Sequence, residues 1–351
     1  YSMNTVDLCP VGALTSKDFR FKMRVWFLKE TKTIDVDCGT GTNITLWTRE
    51  DKVYRITPRQ NDAVNSCWMP DSHRLNYKYI NAETRIPQPV IRTDAEAPHR
   101  PSTWEPALAS AAEAVKRIAP NQLAIIASGR MTNEELYMVR HLAAQIGTDM
   151  VDIVPRMGES DGMLISADRN PNTNGARLVL DIEPGSRLDA IREGVRSGSV
   201  KGILSLGEDL ISPEAGFTAE DLDKLDYLFM TAHSANETAR HADLVLPGVT
   251  YAEKFGTMIN VTGRIQRLNR AIQPIGYARD DWQIFRDITL LLGGNPALKD
   301  FNSALDILTA MSTEYGALNG VSWGSIGDGG QPILETGVTI PVVEREKNQG
   351  R

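Results

Sequence analysis

The sequence predicts an α/β fold: a mostly parallel, doubly wound sheet preceded by a small β-rich region. Three observations carry this expectation. From about residue 106 to 292, short apolar runs alternate with amphipathic helical stretches, the pattern of buried strands whose crossover helices cover both faces of a sheet. Capping signatures and glycine stops mark the helices. Before residue 90 the pattern changes to strand-like runs around a tight turn, as antiparallel strands require.

Taken in order, "NITLWTREDKVYRITPR" places strand-like runs at Asn43–Thr48 and Val53–Thr57 on either side of the charged turn Arg49-Glu50-Asp51-Lys52, predicting a hairpin. Prolines at 87, 89, 98 and 101 mark a connection. "PALASAAEAVKRIA" then puts Leu108, Ala111, Ala112, Val115 and Ile118 on one helical face. "LAIIAS" (Leu123–Ser128) reads as a buried strand. "TNEELYMVRHLAAQIG" has a capping box, Thr132 with Glu135, an apolar face of Leu136, Val139, Ala143 and Ile146, and Gly147 as its stop.

The unit then repeats. "RLVLDI" (Arg177–Ile182) is expected as a strand before the helix "SRLDAIREGVRSG". "GILSLG" (Gly202–Gly207) precedes the helix "TAEDLDKL", with further strands at "YLFMTAHS" and "ADLVLPG". A last helix, "DDWQIFRDITLLLGG", aligns Trp282, Phe285, Ile288 and Leu292. After Asn319 the chain is rich in glycine and proline without a period, and is expected as an irregular surface tail. The expected divisions are 1–26, 27–90, 91–318 and 319–351.

Composition excludes some functions. A net charge of -7 with no basic block argues against nucleic-acid binding. Three cysteines, Cys9, Cys38 and Cys67, cannot form a disulfide framework. No apolar run reaches the ~18 residues of a membrane span, and the first residues lack the basic start and apolar core of a signal peptide. The expected setting is cytoplasmic, without direct membrane insertion.

Cys9 is the chemically suggestive residue. Soft thiolates hold iron, and a Cys-Pro junction commonly closes an iron–sulfur ligand set. "VDLCPVGALTSKDFRFKMRVWFL" closely resembles the stretch that closes a [4Fe-4S] cluster in the large iron–sulfur subunit of NADH:quinone oxidoreductase, respiratory complex I. The family's Cys-Pro-Val-Gly-Ala-Leu is reproduced in full by Cys9–Leu14. The resemblance makes Cys9 one metal ligand. Its three partners would lie upstream, in a Cys-x-x-Cys-x-x-Cys run absent from this sequence, so the chain reads as part of a longer subunit.

Residues 33–74 resemble the site of a further cluster in bacterial members of that family. Asp35 falls on its first cysteine, Cys38 on the second, Thr42 on the third and Pro70 on the fourth; Cys67 is three residues out of register. One ligand in four cannot hold a cubane, so a β scaffold without its metal is expected, with Gly39 and Gly41 kept for a tight turn.

From about 100 to 310, "DGMLISADRNPNTNGARLV" and "ETARHADLVLPGVTYAEKFGTMINVTGRIQRLNRAIQP" resemble the molybdopterin-oxidoreductase module that this subunit shares with formate dehydrogenases. No cysteine follows Cys67 to ligate molybdenum, so no molybdopterin is expected.

The resemblance implies electron transfer from NADH to quinone through iron–sulfur clusters, beside other peripheral-arm subunits, on the cytoplasmic side of the inner membrane. It places NADH, flavin and quinone in those other subunits and leaves no catalytic or cofactor-binding residue on this chain beyond Cys9. The alternatives are a molybdenum or tungsten oxidoreductase of formate-dehydrogenase type and a non-redox scaffold or assembly module. The neighbouring pairs His233–Ser234 and His241–Asp243 are expected as satisfied loop groups, and Glu253–Arg264 as an internal ion pair. Gly129 lacks the rest of a phosphate-binding motif.

Overall fold

A computed structural model describes residues 1–92 and 97–348 of the chain. Helix α1 (Met3–Leu8) leads to strands β1 (Lys29–Ile34), β2 (Asn43–Arg49) and β3 (Lys52–Pro58), which form an antiparallel sheet in that order. The expected hairpin is present. Arg49 pairs with Lys52, and Glu50 and Asp51 close the turn with φ of 50° and 55°, the left-handed pair that matches the twist of a two-residue hairpin.

Helix α2 (Asp71–Leu75) and short strands β4 (Val90–Ile91) and β5 (Arg100–Pro101) lead into the larger sheet. Its units are α3 (Trp104–Arg117), β6 (Leu123–Ala127), α4 (Asn133–Ile146), β7 (Val151–Ile153), α5 (Thr173–Leu180), α6 (Leu188–Ser197), β8 (Gly202–Leu206), α7 (Ala219–Leu222), β9 (Tyr227–Ala232), α8 (Glu237–His241) and β10 (Leu244–Pro247). The strand order is β5-β4-β10-β9-β8-β6-β7. Strands β10, β9, β8, β6 and β7 run parallel, and β4 and β5 extend the edge antiparallel.

Side-chain alternation explains the two layers of helices. Leu123, Ile125 and Ala127 enter one core together with Leu136, Val139 and Phe285. Ala124 and Ile126 enter a second with Ile191, Val195 and Leu222. The same two-way split recurs in β9, where Phe229 faces the first core and Leu228 and Met230 the second. Each buried Leu, Ile or Phe contributes roughly 1.5–3 kcal/mol, and a strand buried on both faces needs a helix on each. Helix α4 begins as its sequence signals: Thr132 Oγ1 accepts from Glu135 N at 3.3 Å and Thr132 N donates to Glu135 Oε2 at 2.8 Å. Gly147, at φ 80°, ends it.

Two expectations are corrected. Residues 177–180 of the expected strand Arg177–Ile182 are the last part of helix α5. Ala176 and Val179 are buried while Arg177 turns outward to Glu183, a helical rather than a two-residue period. A short apolar run leaves this choice open until packing decides it. The place beside β6 is taken by β7.

The stretch after Asn319 is also structured. Beyond β11 (Gly256–Ile259), β12 (Arg264–Leu268), α9 (Asp281–Leu291) and α10 (Ala304–Glu314) come α11 (Trp323–Ile326), β13 (Gln331–Pro332), paired with β12, and α12 (Pro341–Asn348). Ile340, Val342 and Val343 are buried with Val64 and Leu164. These anchors reach distant parts of the chain, so they leave no local period. Residues 349–351 of the expected tail lie outside the described residues.

The small sheet shares its core with the stretch 251–272: Ile44, Leu46 and Ile56 pack with Tyr251, Met258 and Leu268. No helix among the described residues is long and apolar enough to cross a membrane.

Candidate functional site

Open parallel sheets present their binding crevice at the carboxyl ends of the strands. Here Ser128 follows β6, Gly207 follows β8, His233 follows β9 and Val249 lies just beyond β10. With Val36, Tyr79 and Tyr251 they line a cavity of about 90 Å³. The crevice is largely filled by charge pairs. Lys254 Nζ lies 2.8 Å from both oxygens of Glu135. Arg85 Nη2 donates to Glu253 Oε2 at 2.6 Å, and Glu253 Oε2 also accepts from Thr250 N at 2.7 Å. Burial raises the Asp281 carboxyl to about 7, with Glu135 reinforcing the shift.

The cluster-like stretch 35–42 borders this crevice. Cys38 is fully buried, its Sγ 3.9 Å from Leu164 O, and burial pushes its thiol up to about 11. Gly39 N donates to Asp168 O and Gly39 O accepts from Val261 N, each at 2.8 Å. A Cβ on Gly39 would lie 2.4 Å from Val261 Cγ1, and Gly41 holds φ at 63°. Both glycines are required as expected, Gly41 by its backbone angle and Gly39 by close approach.

Asp35, Asp37 and His73, rather than the cysteines, converge. One ligand atom from each lies within 4.8 Å of the other two, and His73 Nδ1 is 2.6 Å from Asp35 Oδ2. Burial and the Asp35 charge push Asp37 up to about 7. Burial lowers the His73 imidazole, but the Asp35 charge and hydrogen bond outweigh it and leave it raised. Asp37 and His73 were not singled out from sequence. The available signals were the Asp-x-Asp spacing from Asp35 and a histidine three residues after Pro70.

Cys9 lies apart from this set, at the end of α1 and partly exposed. Backbone N–H groups, that of Leu14 foremost and then those of Ala13, Val11 and Gly12, hold its thiol below the usual range, and Gly12 N donates to Cys9 O at 3.3 Å. Around it Val11, Phe21 and Trp26 are 81%, 92% and 74% exposed.

The remaining candidates separate cleanly. His233 Nδ1 lies 2.8 Å from Ser234 Oγ. His241 pairs with Asp223, not Asp243, whose Oδ2 accepts from Leu228 N. Glu253 pairs with Arg85, whereas Arg264 donates to Gly330 O at 2.8 Å; the expected Glu253–Arg264 pair is therefore replaced, because the strand register carries Arg264 to the α11–β13 loop. Gly129 makes room for Asn170, whose Cγ would lie 2.4 Å from a Cβ there.

The family matches now place these features. Residues 28–78 match the family described as NADH-ubiquinone oxidoreductase NDSU1/NuoG-like, 4Fe-4S domain, and residues 169–289 match Molybdopterin oxidoreductase. The fold agrees: acetylene hydratase from Pelobacter acetylenicus superposes with a TM-score of 0.62 over 84% of this chain and 73% of that one, at 9% identity. The class these matches define is that of NuoG-like 4Fe-4S and molybdopterin-oxidoreductase modules, to which the two matched stretches are similar.

Within that class the chain is similar to the mitochondrial NADH-ubiquinone oxidoreductase 78 kDa subunit of Candida albicans, 27% identical over 86% of this chain and 58% of the relative. It is likewise similar to an NADH-quinone oxidoreductase subunit of Rickettsia conorii, 24% identical over 82% of this chain and 59% of the relative. These matches bear out the resemblance read from the sequence. The chain spans less than two thirds of either relative.

The residues present fit the implied groups unequally. Cys9, partly exposed and with its thiol held low by the backbone after it, suits an iron–sulfur ligand. Asp35, Thr42 and Pro70 beside a buried Cys38 do not fit a second cubane. The crevice cavity of about 90 Å³ falls well below the ~300–1,000 Å³ of ligand pockets, whereas a cavity of about 370 Å³ beyond β7, lined by Arg156, Asp168 and Asn174, reaches that range.

Proposed function

We propose that this chain is part of the electron-transfer subunit of an NADH:quinone oxidoreductase, with Cys9 as one of four thiolate ligands of a [4Fe-4S] cluster. The observation that carries this reading is the Cys9–Leu14 sequence, Cys-Pro-Val-Gly-Ala-Leu, whose backbone also holds the Cys9 thiol below the usual range. When bound, the cluster supplies one-electron transfer. Cys9 fixes one corner of it, and the surrounding N–H dipoles stabilise charge on sulfur, which tunes a cluster's potential.

The α/β module is then a scaffold. The charge pairs in its crevice support a reading in which it has shed its own cofactor, and Asp35, Thr42 and Pro70 one in which the small sheet has shed its cluster. The partners are other peripheral-arm subunits, which hold NADH, flavin and quinone. The complex sits on the cytoplasmic side of the inner membrane, and this chain does not insert. The exposed apolar residues Val11, Phe21 and Trp26 suit an interface that further protein covers. A molybdenum enzyme is not favoured, given the similarity to NADH-quinone oxidoreductase subunits.

The test is a Cys9→Ala substitution in the assembled complex. Loss of one [4Fe-4S] signal by low-temperature paramagnetic resonance, with NADH:quinone turnover reduced at least roughly tenfold, is expected for an electron-wire ligand. An unchanged cluster spectrum and turnover would overturn the assignment. Stoichiometric molybdenum or tungsten with bound pterin would favour the formate-dehydrogenase type.

A further inference from the structure

The small sheet holds a donor set that differs in chemistry from the cubane its family description names. We propose that Asp35, Asp37 and His73 bind a single divalent transition-metal ion of the zinc, manganese or iron(II) class. This inference is independent of the role of Cys9, because the two sites share no residue.

The geometry comes first. Asp35 stands at the end of β1, fixed by its N–H, which donates to Thr42 O at 2.8 Å. His73 projects from the short helix α2, and Asp37 is held by Asn76 Nδ2 at 2.6 Å. The segment after β1 and helix α2 thus deliver three donors whose atoms lie within 4.8 Å of one another. A metal with bonds of about 2.0–2.2 Å to nitrogen and oxygen brings its donors closer still, a contraction that side-chain rotation supplies. Asn76 already acts on Asp37 as outer-shell groups act on metal-binding carboxylates.

The chemistry selects the ion. Two carboxylates with one imidazole suit zinc, manganese and iron(II), whereas calcium and magnesium prefer oxygen alone. A cubane is refused for the same reason, since its irons want thiolate.

Two further observations concern the surroundings of the set. Thr42 is buried, yet its Oγ1 has no hydrogen-bond partner among the described residues. Such a group normally finds one, and Thr42 is the residue bonded through its main chain to Asp35. Val36, between the two aspartates in sequence, and Tyr79 border the crevice cavity of about 90 Å³, which is room for water near the set.

Charge balance sets a condition on binding. Arg130 acts on Asp37 and Arg169 on His73, so two guanidinium groups oppose an incoming cation, while Tyr79 and Tyr251 also feel both carboxylates. Imidazole ligates a metal only as the neutral base, so binding at His73 competes with protons.

The experiment uses the full 351-residue chain, stripped with chelator and titrated calorimetrically with Zn²⁺ and Mn²⁺, alongside Co²⁺ followed by its visible ligand-field bands. One metal per chain is expected, with His73→Gln and Asp37→Asn each weakening binding roughly tenfold or more. Asp37 lies at the less buried edge of the set, so Asp37→Asn remains informative if His73→Gln does not fold. Wild-type chain that takes up no metal, or Asp37→Asn chain that binds as wild type does, would reduce the three residues to an internal ion pair and overturn the proposal. Loss of the paramagnetic signal in Cys9→Ala, or its persistence, leaves this result untouched.

Discussion

Arg85 and Glu253 form a salt bridge of 2.6 Å with side chains only 2% and 1% exposed. The pair joins three parts of the chain, because Arg85 also donates to Ile80 O and His233 O, both at 2.9 Å, and Glu253 Oε1 accepts from Ile275 N. Removing one partner strands the other charge in a low-dielectric interior. Glu253→Gln is therefore expected to cost about 3–5 kcal/mol, read as a lowered urea midpoint. Arg85→Met in the same chain should recover part of that loss.

Glu135 has two duties, as the capping-box carboxylate of α4 and as the counter-ion of buried Lys254. Thr132→Ala removes only the cap and should cost about 1 kcal/mol. Glu135→Gln keeps an oxygen for the cap but removes the counter-ion of Lys254, and should cost about 3 kcal/mol or more. Equal losses in chemical denaturation would show that Lys254 finds another partner.

His233 gives a signed pH dependence. Burial, aided by Arg85, Lys254 and Arg130, lowers its pKa from 6.5 to about 4. Between those values the unfolded chain binds a proton that the folded chain does not, so stability rises with pH across the window and is lost as pH falls through it. The raised carboxyls of Asp281 and Glu134, each about 7, act with the opposite sign, so the comparison must be against a variant. Relative to His233→Asn, wild type should lose up to about 3 kcal/mol between neutral pH and the lower end of the window, measured by denaturation at each pH.

Gly39 tests the contact between the small sheet and the α/β module. An added Cβ would meet Val261 Cγ1 at 2.4 Å, so Gly39→Ala should cost about 1–3 kcal/mol by overpacking. Val261→Ala in the same chain removes the colliding methyl. A double variant less stable than Gly39→Ala alone would point instead to the carbonyls of Asn170 and Asp168, at 3.3 and 3.4 Å.

The cysteines should separate by reactivity. Cys9 is partly exposed, its thiol lowered by surrounding N–H groups, whereas Cys38 is fully buried and raised to about 11. Thiolate is the reactive form. Brief alkylation at neutral pH, mapped by mass spectrometry, should modify Cys9 and leave Cys38 untouched until the chain unfolds.

Much of the fold was legible locally. The capping box of Thr132 and Glu135, the hairpin turn at Glu50 and Asp51, and the fully apolar runs of β6 and β8 each carry their instructions within a few residues. The misread stretch, Arg177–Ile182, is short and apolar, so either period could accommodate it; contact of Ala176 and Val179 with the first core made it a helix. Likewise Val342 and Val343 gave no period, because their partners Val64 and Leu164 are far away in sequence.

The sequence by itself determined the family resemblance through Cys9–Leu14, the class of fold, and the failure of Cys38, Thr42 and Pro70 to supply a second set of thiolates. Those follow from residue type and spacing along the chain. Only the tertiary structure decided that Asp35 meets His73, that Glu253 answers Arg85 rather than Arg264, and that the crevice above the strands is filled with charge. Such pairings depend on which distant segments share a low-dielectric interior, where an unpaired charge is too costly to leave alone.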